Sequence, residues 1–191
     1  MHRPKILIFA GSTRTDSYNK KLARLTEKIL GAYPVLITYL DLRDLPMPLY
    51  DGDLEAQQGI PENAMKFREL LKSHEGFLMA CPEYNSSISG VLKNSIDWAS
   101  RPIPNEKDLV CFTGKVVNLV SASPGKWGGM RGLVTVRSIL SNIGSIVMPN
   151  QFCLPAADKA FKEDGSLVDA NMQKFLEASC KEFAEMLIKL A

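Results

Sequence analysis

The sequence contains little histidine, and its cysteines are scattered. His2 and His74 are the only histidines in 191 residues, and no pattern of metal ligands surrounds either of them. His2 lies in the N-terminal tail and His74 in a predicted helix-to-strand turn, so a Ser-His-Asp triad is hard to build. The four cysteines form no C-x-x-C pair, so we expect buried free thiols at Cys81, Cys111, Cys153 and Cys180. Zinc enzymes and triad hydrolases are therefore disfavoured, and no metal is expected.

The sequence also lacks a charge excess of either sign and any long apolar run. Its 23 basic and 21 acidic residues give a net charge of +2, whereas binding to nucleic acid or a membrane surface usually needs a basic stripe. No apolar stretch approaches the ~18 residues of a membrane span, and the N-terminus has no secretory signal pattern. We expect a cytoplasmic protein, with residues 1–191 forming one globular domain.

Apolar runs of strand length alternate with segments of helical periodicity. The predicted strands span residues 5–10, 35–40, 76–80, 115–120 and 145–148. The predicted helices span about 18–30, 61–73, 91–100, a segment ending near 143, and 169–190. This alternation predicts an α/β fold with helices on both faces of a parallel sheet.

Residues 41–60 do not follow this alternation. Because no helix can cross Pro46 and Pro48, we expect this segment to be a long surface connection. Its apolar residues suggest that it packs onto another surface, such as a partner subunit. Trp98 and Trp127 could serve the same contact, although Trp98, on a helix, is more typical of a core residue.

Three loops of unusual composition follow predicted strands. The first loop, residues 11–19, reads Gly-Ser-Thr-Arg-Thr-Asp-Ser-Tyr-Asn and leads into a helix. Its hydroxyls, its guanidinium and the helix N-terminus favour an anion site, although an ordinary polar turn is the alternative. Asp16 should face solvent or serve the helix N-terminus, because a carboxylate would repel a phosphate.

The second loop covers residues 82–90 and the third, glycine-rich loop covers residues 121–131. Tyr84 could pack on a flat ring, and the N–H groups of residues 83–86 could bind its heteroatoms; an Asx-turn closed by Asn85 is the alternative. Glycines of the third loop could bring the backbone close to a ligand, or they could simply begin a helix. Because ligands bind at the carboxyl ends of parallel strands, we expect all three loops to form one site.

The first loop matches neither common nucleotide-binding motif. It lacks G-x-x-x-x-G-K-[ST], which disfavours a triphosphate with Mg²⁺, and it lacks G-x-G-x-x-G. Asp41 is a weak candidate for the acidic residue that would hold a dinucleotide ribose. The donors present suit a terminal phosphomonoester.

The motifs in these loops resemble those of the NADPH-dependent FMN reductase family. Residues 11–23 resemble its G-S-x-R-x-x-S-x-N-x-x-L-A opening, and residues 82–85 with 90–98 resemble its P-E-Y-N and G-x-L-K-N-A-I-D-W signature. Residues 128–131 resemble its G-G-x-R element. The resemblance covers about residues 5–150 and implies a flavodoxin-like, doubly wound, five-stranded parallel sheet with strand order 2-1-3-4-5.

The resemblance also implies the cofactor site. Four residues of the first loop would hold the FMN phosphate, and the second and third loops would lie along the isoalloxazine. The implied cofactor-binding set is Ser12, Arg14, Ser17, Tyr18, Asn19, Pro82, Glu83, Tyr84, Asn85, Ser86 and Ser123. Ser89 and Cys81 depart from the usual pattern. Ser89 could loosen the second loop or cap the following helix.

The implied function is an FMN-dependent oxidoreductase without catalytic side chains of its own, because the flavin carries the chemistry. NADPH or NADH would supply hydride, and quinones, azo compounds, metal oxyanions or free flavin would accept the electrons. Arg101 and Lys126 are candidate contacts for anionic substrates, or simply solvated residues. A homodimer or homotetramer is implied. The alternatives are a flavodoxin-like electron carrier, which the net charge of +2 disfavours, and a non-catalytic FMN-binding sensor.

Overall fold

The computed structural model describes residues 2–191 and contains a central parallel sheet. The sheet strands are β1 (Lys5–Ala10), β2 (Leu36–Asp41), β3 (Gly76–Ala80), β6 (Val116–Ala122), β7 (Ile146–Val147) and β8 (Phe152–Leu154). The strand order is β2-β1-β3-β6-β7, with β8 also paired to β6. A separate two-stranded hairpin is made by β4 (Glu83–Tyr84) and β5 (Ser87–Ile88). The α/β class and the 2-1-3-4-5 order are confirmed, since β6 and β7 are the fourth and fifth predicted strands.

Helices cover both faces of the sheet. They are α1 (Tyr18–Leu30), α2 (Gly52–Gln58), α3 (Glu62–Lys72), α4 (Gly90–Ala99), α5 (Met130–Asn142) and α6 (Ala170–Leu190). Apolar side chains of α1 and α6 pack with one set of strand residues, and those of α3, α4 and α5 pack with the alternate set. Central strands that are buried on both faces need a continuous apolar sequence, and this explains why they could be predicted from the sequence.

The fifth strand position is divided between two short strands. β7 pairs with Val116 and Val117 at the start of β6, whereas β8 pairs with residues 120–122 at its end. Pro149 lies between them and lacks the N–H group that a continuing strand would donate. The sequence predicted β7 but missed β8, whose three residues are too few to show a period.

No helix crosses Pro46 and Pro48, as expected, but the connection contains a short helix that was not predicted. A 3₁₀ turn occupies Leu42–Asp44, and α2 begins beyond both prolines. The carboxylate of Asp51 caps α2 by accepting hydrogen bonds from the N–H groups of Asp53 and Leu54. A helix of seven residues is too short to show apolar periodicity.

The segment around Pro48 packs onto α4 of its own chain. The indole N–H of Trp98 donates to the Pro48 carbonyl at 2.8 Å, and the Tyr50 ring meets the Trp98 ring edge-on at 5.0 Å. Trp98 is fully buried, which confirms its predicted place in the core. The expected contact between this segment and a partner subunit stays a prediction.

The cysteines of the structure are all free thiols, and three of them are buried. Cys153 is partly exposed, which differs from the expectation for that residue. Between residues 2 and 191, no helix is both long enough and apolar enough to cross a membrane.

Candidate functional site

The three polar loops meet at the carboxyl edge of the sheet, as expected. Strand β3 lies between β1 and β6, with Ala80 opposite both Ala10 and Val120. The first loop starts with Gly11, whose N–H donates to the Ala80 carbonyl at 2.9 Å. The second loop is reached through Cys81, whose N–H donates to the Val120 carbonyl at 2.8 Å. The register of the parallel strands therefore brings the loops together.

Two serine side chains connect the loops. The hydroxyl of Ser89 donates to the Gly11 carbonyl at 2.6 Å and accepts from the N–H of Leu92 at 3.4 Å. Ser89 thus caps α4, which was one of the two expected roles, and ties the second loop to the first. The hydroxyl of Ser121 donates to the Cys81 carbonyl at 2.7 Å and ties the third loop to the second.

The first loop keeps several hydrogen-bond donors free of protein partners. Ser17 is the N-cap residue of α1, yet its hydroxyl makes no capping hydrogen bond. The guanidinium of Arg14 makes no hydrogen bond or ion pair with residues 2–191, and Arg14 is exposed. The Ser12 hydroxyl accepts from the Arg14 N–H at 3.3 Å, which leaves its own proton available to a ligand.

The N-terminus of α1 is the part of the first loop best suited to an anion. The first turn of α1 contains no acidic residue, and Asp16 is exposed to solvent as expected. The first-turn N–H groups of a helix lack helical partners, and the helix dipole favours an anion there. The geometry thus fits a phosphate group.

Asn19 is placed differently from the other predicted phosphate ligands. Its side-chain N–H donates to the Ala122 carbonyl at 2.9 Å, and its side-chain oxygen accepts from the Ala122 N–H at 3.0 Å. This pair joins the start of α1 to the end of β6. Asn19 positions the two loops, and direct binding of the phosphate by Asn19 stays a prediction. Tyr18 is half-buried and packs against the core.

Arg43 is a residue of this edge that the sequence reasoning missed. Its guanidinium donates to the Thr13 carbonyl at 2.9 Å and to the Thr15 hydroxyl at 2.9 Å. The backbone N–H of Arg43 donates to Asp41 at 3.0 Å, and the other oxygen of Asp41 accepts from the Lys20 ammonium at 2.6 Å. The sequence could have indicated this position. Arg43 closely follows β2, which neighbours β1 in the parallel sheet, so it lies near the first loop.

The second loop forms a tight β-hairpin. Glu83 pairs with Ile88 and Tyr84 with Ser87, which leaves Asn85 and Ser86 as a two-residue turn. Their φ angles of 50° and 64° are both positive, as a type I′ turn requires. The side chain of Asn85 makes no hydrogen bond within residues 2–191, so the hairpin replaces the Asx-turn alternative. Tyr84 is half exposed beside this turn.

Glu83 has a role that the sequence did not indicate. One of its carboxylate oxygens accepts two hydrogen bonds from the Arg131 guanidinium, at 2.9 and 2.6 Å. The other oxygen accepts from the Gly132 N–H at 3.0 Å. The Glu83 side chain therefore holds the N-terminus of α5, and only its backbone remains for a ligand. Pro82 before it is buried.

The glycines of the third loop allow close packing within the protein. Gly128 and Gly129 have φ angles of 58° and 89°. A Cβ on Gly128 would lie 2.8 Å from the Leu154 carbonyl carbon, and one on Gly129 would lie 1.9 Å from the Ser121 hydroxyl oxygen. Gly128 and Gly129 thus allow close packing at the start of α5, which was the alternative to a ligand contact, and a ligand contact of the third-loop backbone stays a prediction.

Ser123 lies on the same loop, held by its backbone. Its N–H donates to the Leu154 carbonyl at 3.0 Å, and its hydroxyl accepts from the Gly125 N–H at 3.2 Å. The unpredicted strand β8 thus supports the third loop. Ser123 is partly exposed, so its hydroxyl can still donate to a ligand.

The two candidate contacts for anionic substrates differ in their surroundings. Lys126 is exposed on the third loop, with its ammonium 5.1 Å from the centre of the Trp127 ring. Arg101 instead pairs with Glu55 of α2 at 3.0 and 3.1 Å and lies over the Tyr50 ring. Because Glu55 already compensates the charge of Arg101, Arg101 is the weaker candidate for binding an anionic substrate.

Comparisons with known proteins agree with this geometry. Residues 4–159 match the family model described as NADPH-dependent FMN reductase. The chain is 35% identical to a probable NADPH:quinone oxidoreductase from Oryza sativa subsp. japonica, with 97% of this chain and 86% of the relative covered. It is 36% identical to an NAD(P)H-dependent FMN reductase from Pseudomonas aeruginosa, with coverage of 91% and 89%.

Solved structures show the same similarity. The flavoenzyme NAD(P)H:(acceptor) oxidoreductase FerB from Paracoccus denitrificans superimposes with a TM-score of 0.80 at 27% identity. The superposition covers 97% of this chain and 98% of that one.

Proposed function

The chain belongs to the NADPH-dependent FMN reductase family, and we propose that it passes electrons from NAD(P)H through FMN to small-molecule acceptors of the quinone type. The family identifies it as an oxidoreductase that uses FMN and NAD(P)H. Relatives from Oryza sativa and Pseudomonas putida are named as quinone reductases or oxidoreductases, which supports the acceptor class.

The unused donors of the first loop are the observation on which this proposal rests. We assign the FMN phosphate to Ser12, Arg14 and Ser17, together with the first-turn N–H groups of α1. A phosphomonoester carries about 1.5 to 2 negative charges at neutral pH, and no carboxylate of residues 2–191 is hydrogen-bonded to the side chains of Ser12, Arg14 or Ser17. Uncapped donors at a helix N-terminus cost stability when nothing binds them, so a resident anion accounts for the absence of a side-chain cap.

The second loop is the proposed platform for the flavin ring. The left-handed turn at Asn85 and Ser86 fixes the direction of its backbone N–H groups, and the half-exposed Tyr84 offers an aromatic surface. Ser123 approaches from the third loop. When bound, FMN would supply the redox chemistry between the nicotinamide donor and the acceptor. The protein contributes position, hydrogen bonds and nearby charge.

Glu83 does not act as an acid or base in this proposal. Its carboxylate is almost fully covered and is held by Arg131 and Gly132. A proton-transfer residue must have a face open to the reacting group. In this proposal Glu83 fixes α5 relative to the hairpin, and the flavin carries the chemistry.

The test is an anaerobic reduction of the purified protein. We expect the protein to retain FMN with its yellow absorbance, and NADPH or NADH to bleach it faster than free FMN at equal concentration in buffer. Adding a benzoquinone should restore the absorbance; azo compounds, metal oxyanions and free FMN can be compared in the same assay.

Two outcomes would contradict the proposal in different ways. A protein that cannot be reconstituted with FMN contradicts flavin binding altogether. A protein that holds FMN but is reduced no faster than the buffer control is instead an electron carrier or a sensor.

A further inference from the structure

A cleft of about 720 Å³ lies outside the site formed by the three loops. It opens between the outer face of α1, the end of β2 and the loop around residues 161–165. It meets the proposed flavin site only at Thr15 and Ser17 of the first loop. Neither the hairpin of the second loop nor the third loop contributes to its lining.

Cationic side chains dominate the cleft. Its lining has five Lys or Arg residues against three Asp or Glu residues, although the protein as a whole carries a net charge of only +2. Lys21, Arg24 and Lys28 project from one side of α1, because residues three and four apart share a helix face. Lys162 faces them from the loop. The net charge of the whole protein therefore does not indicate that positive charge is concentrated in this cleft.

Three of these cations are not paired with a carboxylate. Within residues 2–191, Lys21, Lys28 and Lys162 make no ion pair, whereas Lys20 is paired with Asp41 and Arg24 with Glu27. Hydrogen bonds from Ser166, followed by the positive charges of Lys162 and Lys28, hold the pKa of Asp164 below its ordinary value. The cleft thus contains more positive charge than its own carboxylates neutralise.

The floor of the cleft includes a stacked guanidinium. The Arg24 guanidinium carbon lies 3.3 Å from the centre of the Tyr39 ring. One face of the guanidinium plane is therefore supported by an aromatic ring, and the opposite face can stack on a purine base. Unpaired ammonium groups at either side suit phosphate, which lysine binds as a point charge.

We propose that this cleft binds the phosphate groups of a nucleotide. The proposal deepens the proposed function, because the 2′-phosphate end of NADPH is one source of this chemistry; a free nucleotide is the other. The stacked Arg24 would contact the base, and Lys21, Lys28 and Lys162 would contact phosphate. The flavin phosphate keeps its separate position in the first loop.

Calorimetric titration with adenosine 2′,5′-bisphosphate tests the cleft directly. The FMN-loaded protein should bind this ligand, and the variant Lys28→Glu/Lys162→Glu should bind it at least about tenfold more weakly. Tenfold corresponds to about 1.4 kcal/mol, near the lower bound for a hydrogen bond to a charged group. The control Lys174→Glu/Lys189→Glu makes the same charge change at exposed positions outside the cleft and should stay within about twofold.

Steady-state competition separates the two sources. If the ligand inhibits oxidation of NADPH but not of NADH, the cleft holds the 2′-phosphate end of the donor. If it binds without inhibiting either reaction, the cleft holds a separate nucleotide. Absence of binding, or equal weakening in both double variants, would overturn the proposal. Loss of FMN would instead contradict the proposed function, and the flavin-free chain can still be titrated to examine the cleft.

Discussion

Arg14 and Arg43 place two guanidinium groups at the first loop, but their contacts assign them different tasks. Arg43 is already engaged with Thr13 and Thr15 of the loop itself. Arg14 makes no side-chain contact of that kind within the described residues and is exposed. We infer that Arg14 contacts the ligand and that Arg43 fixes the backbone around it.

Arg14→Ala should weaken FMN binding by about tenfold to a hundredfold. A hydrogen bond assisted by charge contributes about 1.5–3 kcal/mol, and Arg14 has no other partner to lose. Fluorescence titration of the flavin-free protein measures the dissociation constant. Riboflavin, which lacks the phosphate, is the control and should bind both proteins equally. An unchanged dissociation constant for FMN would show that the phosphate is held by other residues.

Arg43→Ala should weaken FMN binding less, by about twofold to tenfold, since a typical hydrogen bond contributes about 0.5–1.5 kcal/mol net. Arg43→Lys should not restore the affinity, because an ammonium cannot reproduce the fork that reaches both Thr13 and Thr15. The same fluorescence titration serves for both variants. Full affinity in Arg43→Lys would mean that only the charge of Arg43 matters.

Of the three helices that start at the site, α4 and α5 each begin with a hydrogen bond to a residue of the second loop. Ser89 caps α4 while binding the Gly11 carbonyl, and Glu83 binds both Arg131 and Gly132 at the start of α5. The elements that carry the loops are thereby fixed to the loops themselves. The hydrogen bonds that shape the site therefore also hold the first turns of α4 and α5.

Ser89→Ala should destabilise the protein by about 2–4 kcal/mol. Loss of a serine cap costs about 1 kcal/mol, and leaving a buried carbonyl without its partner costs a further 1–3 kcal/mol. Urea denaturation measures the change. Ser100→Ala is the matched control at the other end of α4, where the hydroxyl binds only the Asp97 carbonyl of its own last turn. If both variants lose the same stability, the connection between the loops contributes nothing.

Element prediction succeeded where burial is uniform. The strands β1 and β3 are completely or almost completely buried along their lengths, so their sequences are continuous apolar runs. Helix α2 and strand β8 are short and are stabilised by contacts with distant residues: α2 through Glu55 and Arg101, and β8 through its pairing with β6. Local sequence patterns do not record such contacts.

At the scale of the molecule, the two edges of the sheet have separate roles. The carboxyl edge carries the proposed flavin site, whereas His74 lies just before β3, at the amino edge. Its imidazole is within hydrogen-bond distance of the Leu70 carbonyl at 2.6 Å and of the Thr38 hydroxyl at 2.7 Å. Burial lowers the pKa of His74 below its ordinary value of 6.5, although Leu70 and Glu75 oppose this and Lys5 and Lys115 add to it.

The stability of the protein should therefore fall as the pH decreases below about 6.5. In the unfolded chain His74 binds a proton near that pH, whereas the folded state resists protonation, so protons favour unfolding. The contribution is fully present above the unfolded pKa and is lost as the pH falls through the folded pKa. Urea denaturation at pH values between about 8 and 5 measures it.

His74→Gln should flatten this pH dependence, because glutamine does not titrate in the range. A profile that is identical in wild type and His74→Gln would assign the acid sensitivity to carboxylates.

The sequence by itself determined the fold class, the order of the main strands and the three loops, because buried strands need apolar runs and the motifs are local. It also indicated the free hydroxyls and the guanidinium of the first loop. Only the tertiary structure decided which polar residues are already used, as Asn19 on Ala122 and Glu83 on Arg131 show. The basic cleft likewise could not be predicted from the sequence, because α1, β2 and the loop around Lys162 become neighbours only in the folded protein. Composition and spacing record residue types, whereas partners and cavities depend on contacts between distant segments.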